Sequence, residues 1–192
     1  MEIWLLRHPA LTETGKCLGQ SEGILHPEWL TRLPATKPLL PNPLPRVYTS
    51  PSPRCLVVAG FLGRAKVTAD ERLYELNFGS WEGKPWKDLP PGDIEDWMVD
   101  MEETAPHGGE TGNDLLDRAI NFFEELLERD EDALVIADAG WIRAMLALLL
   151  GTNLEHAFRL DIDHLSLTHV VCKEDLVTLS YINRNAPPKT QP

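Results

Sequence analysis

Cysteine is scarce: Cys17, Cys55 and Cys172 are the only three in 192 residues. They are odd in number and widely spaced, with no C-x-x-C pair and no Cys/His spacing suited to a metal. A disulfide framework and a zinc-type centre are therefore not expected, and reduced thiols in a cytoplasmic protein are. Basic charge is also short, with 18 Lys and Arg against 30 Asp and Glu and a net charge of −12. That balance argues against a nucleic-acid partner, which needs a basic patch or stripe. Long apolar runs are missing. The longest, Ala144 to Leu150, is far too short to cross a membrane. The opening stretch Ile3 to Leu6 is too short for a secretion signal and lacks a basic flank. There is no H-E-x-x-H, no D-x-D cluster, no repeat and no low-complexity tract. No metal, cofactor or membrane partner is expected, and nothing indicates an oligomeric state.

What is present has the balance of a globular domain, 43% apolar and 25% charged. The length suits one domain, 1–192, with a core that needs no staples. Ile3 to Leu6 and Ala133 to Ala137 read as buried strands of a parallel sheet, and Val47 to Thr49 and Val67 to Ala69 as shorter ones. His26 to Leu33 is expected to be a short helix. The prolines between 34 and 46 argue against regular structure there. Ser50 stands as an N-cap with Pro51 at the first helical position, opening a helix to about Leu62. Asp114 to Arg129 carries a helical apolar stripe, with Thr111 and Asp114 as candidate caps. Gly140 to Leu150 is an apolar helix ended by Gly151. Leu165 to Cys172 and Leu176 to Ile182 close the chain as strands. Residues 84–110 are expected to form a cap insertion, and 185–192 a flexible tail. Alternating strands and helices predict an α/β fold, a three-layer α/β/α sandwich around a mostly parallel sheet. Ligands of such folds bind beyond the carboxyl ends of the strands, where Arg7-His8 and Asp138 both fall.

Five segments carry candidate chemistry. Arg7-His8 follows a buried strand; an imidazole there suits attack on phosphorus, and a guanidinium suits phosphate oxygens. Its plainer alternative is a strand-end surface pair. Arg54 sits at a helix start, where N–H groups and the dipole favour anions, or is a solvated arginine. Glu75, in the aromatic loop Glu75–Gly83, is a candidate proton donor if burial raises its pKa. Glu82 in that loop reads as an ordinary acidic residue and Trp81 as packing. The tandem glycines of Pro106–Thr111 either aim N–H groups at an anion or make a turn. Asp138, before Ala139-Gly140-Trp141-Ile142-Arg143, is either catalytic or a helix cap.

In this order the five segments resemble the signatures of the histidine phosphatase superfamily, the phosphoglycerate-mutase-like proteins, over residues 1 to about 182. Arg7-His8-Pro9 is similar to R-H-G with proline for the glycine, and Ser50 to Arg54 to S-S-P-x-x-R. Glu75 to Gly83 resembles E-x-x-F-G-x-W-E-G, Pro106 to Glu110 resembles P-x-G-G-E, and Asp138 to Arg143 resembles H-x-G-x-I-R. Cys17-Leu18-Gly19-Gln20-Ser21 and Glu75–Gly79 are most similar to the α-ribazole phosphatase branch of cobalamin assembly. The resemblance implies a phosphoglycerate mutase-like fold and hydrolysis of a small-molecule phosphate ester. It implies His8 as the phosphate-accepting nucleophile, Arg7 and Arg54 as phosphate clamps and Glu75 as general acid. The short segment between Gly83 and Pro106 makes mutase chemistry the less expected variant.

Asp138 departs from that pattern, standing where the family has a second catalytic histidine. An ionised aspartate only accepts hydrogen bonds. It also repels a phosphate by roughly 4 kcal/mol per charge pair at about 4 Å in a surface-like dielectric. Three readings remain open. The residue is an introduced substitution that traps a phosphorylated or substrate-bound form, or a natural change to weak activity or pure ligand binding. Otherwise it is protonated, or turned away to cap the 140–150 helix while another group fills the gap. His107 and His164 are candidates for that group by residue type alone. Trp86 and Trp97 are either stacking surfaces for a flat ring or core residues.

Overall fold

A computed structural model describes residues 1–63, 66–174 and 176–187. The elements in chain order are β1 (Glu2–Arg7), α1 (Trp29–Thr36), β2 (Arg46–Thr49), α2 (Pro53–Leu62), β3 (Val67–Ala69) and α3 (Pro91–Val99). They continue with α4 (Gly112–Arg129), β4 (Ala133–Ala137), α5 (Ala139–Leu150), α6 (Leu154–Ala157), β5 (Leu167–Lys173) and β6 (Leu176–Arg184). The strands form one sheet in the order β3-β2-β4-β1-β5-β6. The first four run parallel, and β5 and β6 are antiparallel to their preceding neighbours. This is the expected mostly parallel sheet with helices on both sides.

Strand alternation divides the core. On β4, Ala133, Val135 and Ala137 face the layer built by α4 and α5, and Leu134 and Ile136 face the layer of α1 and α2. On β1, Ile3 and Leu5 join the first layer and Leu6 the second. All five β4 side chains are buried, because a central parallel strand is covered on both faces. Burying each of Leu134, Val135 and Ile136 contributes on the order of 1.5–3 kcal/mol. The β1–β4 register sets Arg7 opposite Ala137, and the His8 N–H donates to the Ala137 carbonyl at 3.2 Å. His8 and Asp138 therefore leave the sheet side by side.

Several local expectations need correction. The first helix starts at Trp29 rather than His26, because the backbone around Ile24–His26 bonds to Ala10 and Thr12 instead. It then runs through Pro34 to Thr36, anchored by buried Leu33, and a 3-10 turn spans Lys37–Leu39; irregular backbone is confined to the residues between that turn and β2. The N-cap of α2 is Ser52, with Pro53 at the first position. Ser50 is held back because its N–H still donates to Ile136 across the β2–β4 pair. The α4 start carries a full capping box between Thr111 and Asp114. Of the tail expected from Asn185, the described part ties Asn185 to Asp163, and residues 188–192 lie outside the described residues. Among the described residues, no helix is long and apolar enough to cross a membrane.

Candidate active site

A cavity of about 490 Å³ opens at the carboxyl ends of β1 and β4, and its wall includes Arg7, His8, Arg54, Glu75 and Asp138. All five side chains singled out in the sequence thus converge. His8 is almost fully buried. Its Nδ1 lies 2.6 Å from the Pro9 carbonyl oxygen, which only accepts, so Nδ1 carries the proton. Its Nε2 lies 3.0 Å from Asp138 Oδ1. The same oxygen accepts from Arg54 Nε at 2.6 Å.

A proton shared along the His8–Asp138 contact belongs on the imidazole, because the guanidinium beside Oδ1 favours the carboxylate. Burial raises the Asp138 carboxyl, but His8 and Arg54 together outweigh it and hold the carboxyl below the usual range. Both ring nitrogens of His8 thus face acceptors, and the Asp138 carboxylate occupies the Nε2 side in this arrangement.

Asp138 is not turned away to cap the helix: its carboxylate faces His8 and Arg54, and those neighbours favour the ionised form in the resting site. Asp138 occupies the N-cap position of α5, yet its side chain makes no cap bond. Glu75 takes that place: its Oε2 accepts from the Gly140 N–H at 2.7 Å and its Oε1 from Leu76 N–H at 2.8 Å. Gly140 is required there, since a Cβ would overlap the Glu75 carboxyl. Burial, then the charge of Asp138, raises the Glu75 carboxyl above its ordinary value against these two backbone donors. A carboxyl with that tendency on a cavity wall suits proton donation.

The two arginines differ. Every nitrogen of Arg54 has a partner: Nη1 donates to the Ser21 carbonyl at 2.8 Å, Nη2 to the Gly19 carbonyl and Nε to Asp138. Arg7 donates Nη1 to the Ile162 carbonyl, while its buried Nε has no partner among the described residues. Arg7 lines the cavity, and its guanidinium is the kind of group that binds an anion there.

Other segments build the frame. Glu82, read as an ordinary acidic residue, is a hub: its carboxylate accepts from the N–H groups of Gln20, Ser21 and Phe78 and from the Ser21 hydroxyl. Gln20 Nε2 donates to the Glu75 carbonyl. The Cys17–Ser21 segment thus joins the Arg54 and Glu75 supports, and Gly19 admits no side chain because a Cβ would overlap Leu76 and Glu82. The tandem glycines make a turn rather than an anion nest. Gly109 N–H is spent on Pro106 and Glu110 N–H on Asn77.

His107 is exposed and lines a different pocket, so it does not meet His8. His164 does line the cavity, with its ring centroid 5.2 Å from that of His8. Sequence reasoning missed the cavity position of Arg143, which shares a helical face with Gly140 and lies over Phe158; the three-residue spacing was the available signal. Phe78, Trp86 and Phe158 supply an apolar wall. Trp97 is core, packed on Phe78, Trp81 and Phe158.

Fold and cavity together define a class: an α/β protein that gathers an imidazole, guanidinium groups and a raised carboxyl acid beyond its strand ends, the makings of a phosphate-ester site. The chain belongs to the histidine phosphatase superfamily, whose branch 1 model matches residues 3–185. It is 26% identical over 170 residues to phosphoserine phosphatase 1 of Hydrogenobacter thermophilus, covering 82% of this chain and 81% of that one. It is 26% identical over 119 residues to the adenosylcobalamin/alpha-ribazole phosphatase of Escherichia coli, covering 59% of each. The crystal structure of the alpha-ribazole phosphatase from Shigella flexneri superposes with a TM-score of 0.87 at 22% identity, over 100% of both chains.

Proposed function

We propose that this chain hydrolyses small phosphate monoesters through a phosphoryl group carried on His8, and does so slowly because Asp138 holds the nucleophile in the resting site. The observation that carries this reading is the convergence of His8, Arg7, Arg54 and Glu75 on one cavity wall. An entering phosphoryl group exchanges with the Asp138 carboxylate, anion for anion, at Arg54 and His8. The Nε2 proton passes to Asp138, which frees the lone pair and neutralises the repelling charge. Nε2 then attacks phosphorus, the alkoxide leaves, and Glu75 protonates it. Water next attacks the phosphohistidine, Glu75 takes a proton from it, and the P–N electron pair returns to Nε2. The apolar wall of Phe78, Trp86 and Phe158 supports an alcohol part with a flat ring, and α-ribazole phosphate is our leading candidate.

The test is turnover of p-nitrophenyl phosphate and α-ribazole phosphate, together with acid-labile, base-stable phosphate on His8. Asp138→His is expected to raise turnover by about two to three decades, as removal of a charge conflict of a few kcal/mol implies. Label that survives His8→Ala would remove the nucleophile assignment. A second reading, a phosphate-ligand binding protein without turnover, is favoured by the occupied Nε2. It predicts saturable ligand binding with no label on His8 and no activity in either form.

A further inference from the structure

Where the family resemblance places a donor histidine this cavity holds Asp138, which in the resting site is ionised and supplies only acceptors. His164 lines the same cavity. Its Nδ1 lies 3.3 Å from the His8 carbonyl oxygen, an acceptor only, so the Nδ1 proton is fixed and Nε2 carries the lone pair. Among the described residues Nε2 makes no hydrogen bond and is not a buried orphan. The ring packs edge-on to His8, with 63° between planes, and also borders a second cavity of about 600 Å³ beside α1.

We propose that His164 is a further catalytic residue that takes up a proton when a phosphoryl group enters and donates Nε2–H to one of its oxygens. This deepens the hydrolase reading and rests on its placing of the phosphoryl group at His8.

Three basic groups face the ring: Arg7 and His8 from the end of β1, and Arg32 from α1. The adjacent Asp163 is turned to Asn183 and Asn185. Burial first, then the charges of Arg7 and His8, pull the empty-site imidazole down to about 3. A dianion among those cations reverses the electrostatic balance at Nε2 and favours the imidazolium. The transfer from His8 to Asp138 is internal, so the proton gained by His164 is the one drawn from solvent.

The probe is tungstate, a tetrahedral dianion near neutral pH, titrated calorimetrically in buffers of different ionisation enthalpy. The intact chain is expected to take up more protons per tungstate bound than His164→Gln, by up to one. Equal uptake in both would overturn the proposal. Nitrogen-15 histidine NMR of the unaltered chain reads the same event without relying on the variant fold. His164 should pass from the Nδ1–H tautomer to the doubly protonated ring on tungstate addition, and an unchanged signal at saturation would also overturn it. If tungstate does not bind this chain, the titrations are made in Asp138→Asn, where the competing charge is absent; failure to bind there too overturns the proposal. Tungstate-linked protonation of His164 without phosphate on His8 would instead leave this donor in place and remove the hydrolase.

Discussion

Glu75 and Asp138 are carboxyl groups of one cavity, both largely withdrawn from solvent and both beside the start of α5, yet they are driven in opposite directions. Glu75 receives only uncharged backbone N–H groups, from Leu76 and Gly140, and faces the negative charge of Asp138. Asp138 receives a guanidinium and an imidazole on a single oxygen. Burial is shared, so it cannot separate them; the charge of the donors does. One carboxyl is thereby suited to deliver a proton. The other is an internal anion seated where the family resemblance places a phosphate-binding histidine.

The largest break in this contrast is Arg54→Leu. It leaves Asp138 buried without its guanidinium, with only His8 beside it, and unfolding in urea should show a loss of about 3 kcal/mol. A loss below about 1 kcal/mol would mean that Asp138 is not held by this pair. Gly140→Ala strikes the other carboxyl. The new Cβ displaces Glu75 from α5, and turnover should fall about 100-fold, the scale of a misplaced acid, with the fold retained by circular dichroism.

Acid unfolding sharpens the contrast without touching Glu75. The folded value of Asp138 lies below its unfolded value, so its contribution is present above about pH 4 and is lost as pH falls through the depressed folded value. Asp138→Asn should therefore show a shallower acid limb, by on the order of 2 kcal/mol below pH 4. Parallel limbs in the two proteins would deny that the native carboxylate is stabilised. The smallest effect concerns a helix start that caps itself. Thr111→Ala removes the α4 capping box at a cost of about 1 kcal/mol in thermal unfolding, with turnover unchanged because Thr111 is remote from the cavity wall.

Much of the frame was legible along the chain. The continuous apolar runs at Ile3–Leu6 and Ala133–Ala137 announce central parallel strands, and the residues just beyond them meet in the cavity. Local signals failed where distant backbone competed. Ser50 reads as a cap but is claimed by Ile136, and His26 reads as helical but is claimed by Ala10. Glu82 looked like any loop acid because its N–H partners, Gln20 and Ser21, lie about sixty residues away. His164 carried no pattern marking it as a neighbour of His8, and Arg143 only its three-residue spacing from Gly140.

The order of strand, turn and helix, the family, and the identity of the side chains at the strand ends follow from the chain alone, because periodicity and short motifs are local properties. The state of those side chains does not. Whether Nε2 of His8 holds a lone pair, which carboxyl keeps its proton and which arginine is left with an open donor depend on contacts between residues far apart in sequence. Only the folded sheet brings those charges within a few ångströms in a medium where water no longer screens them.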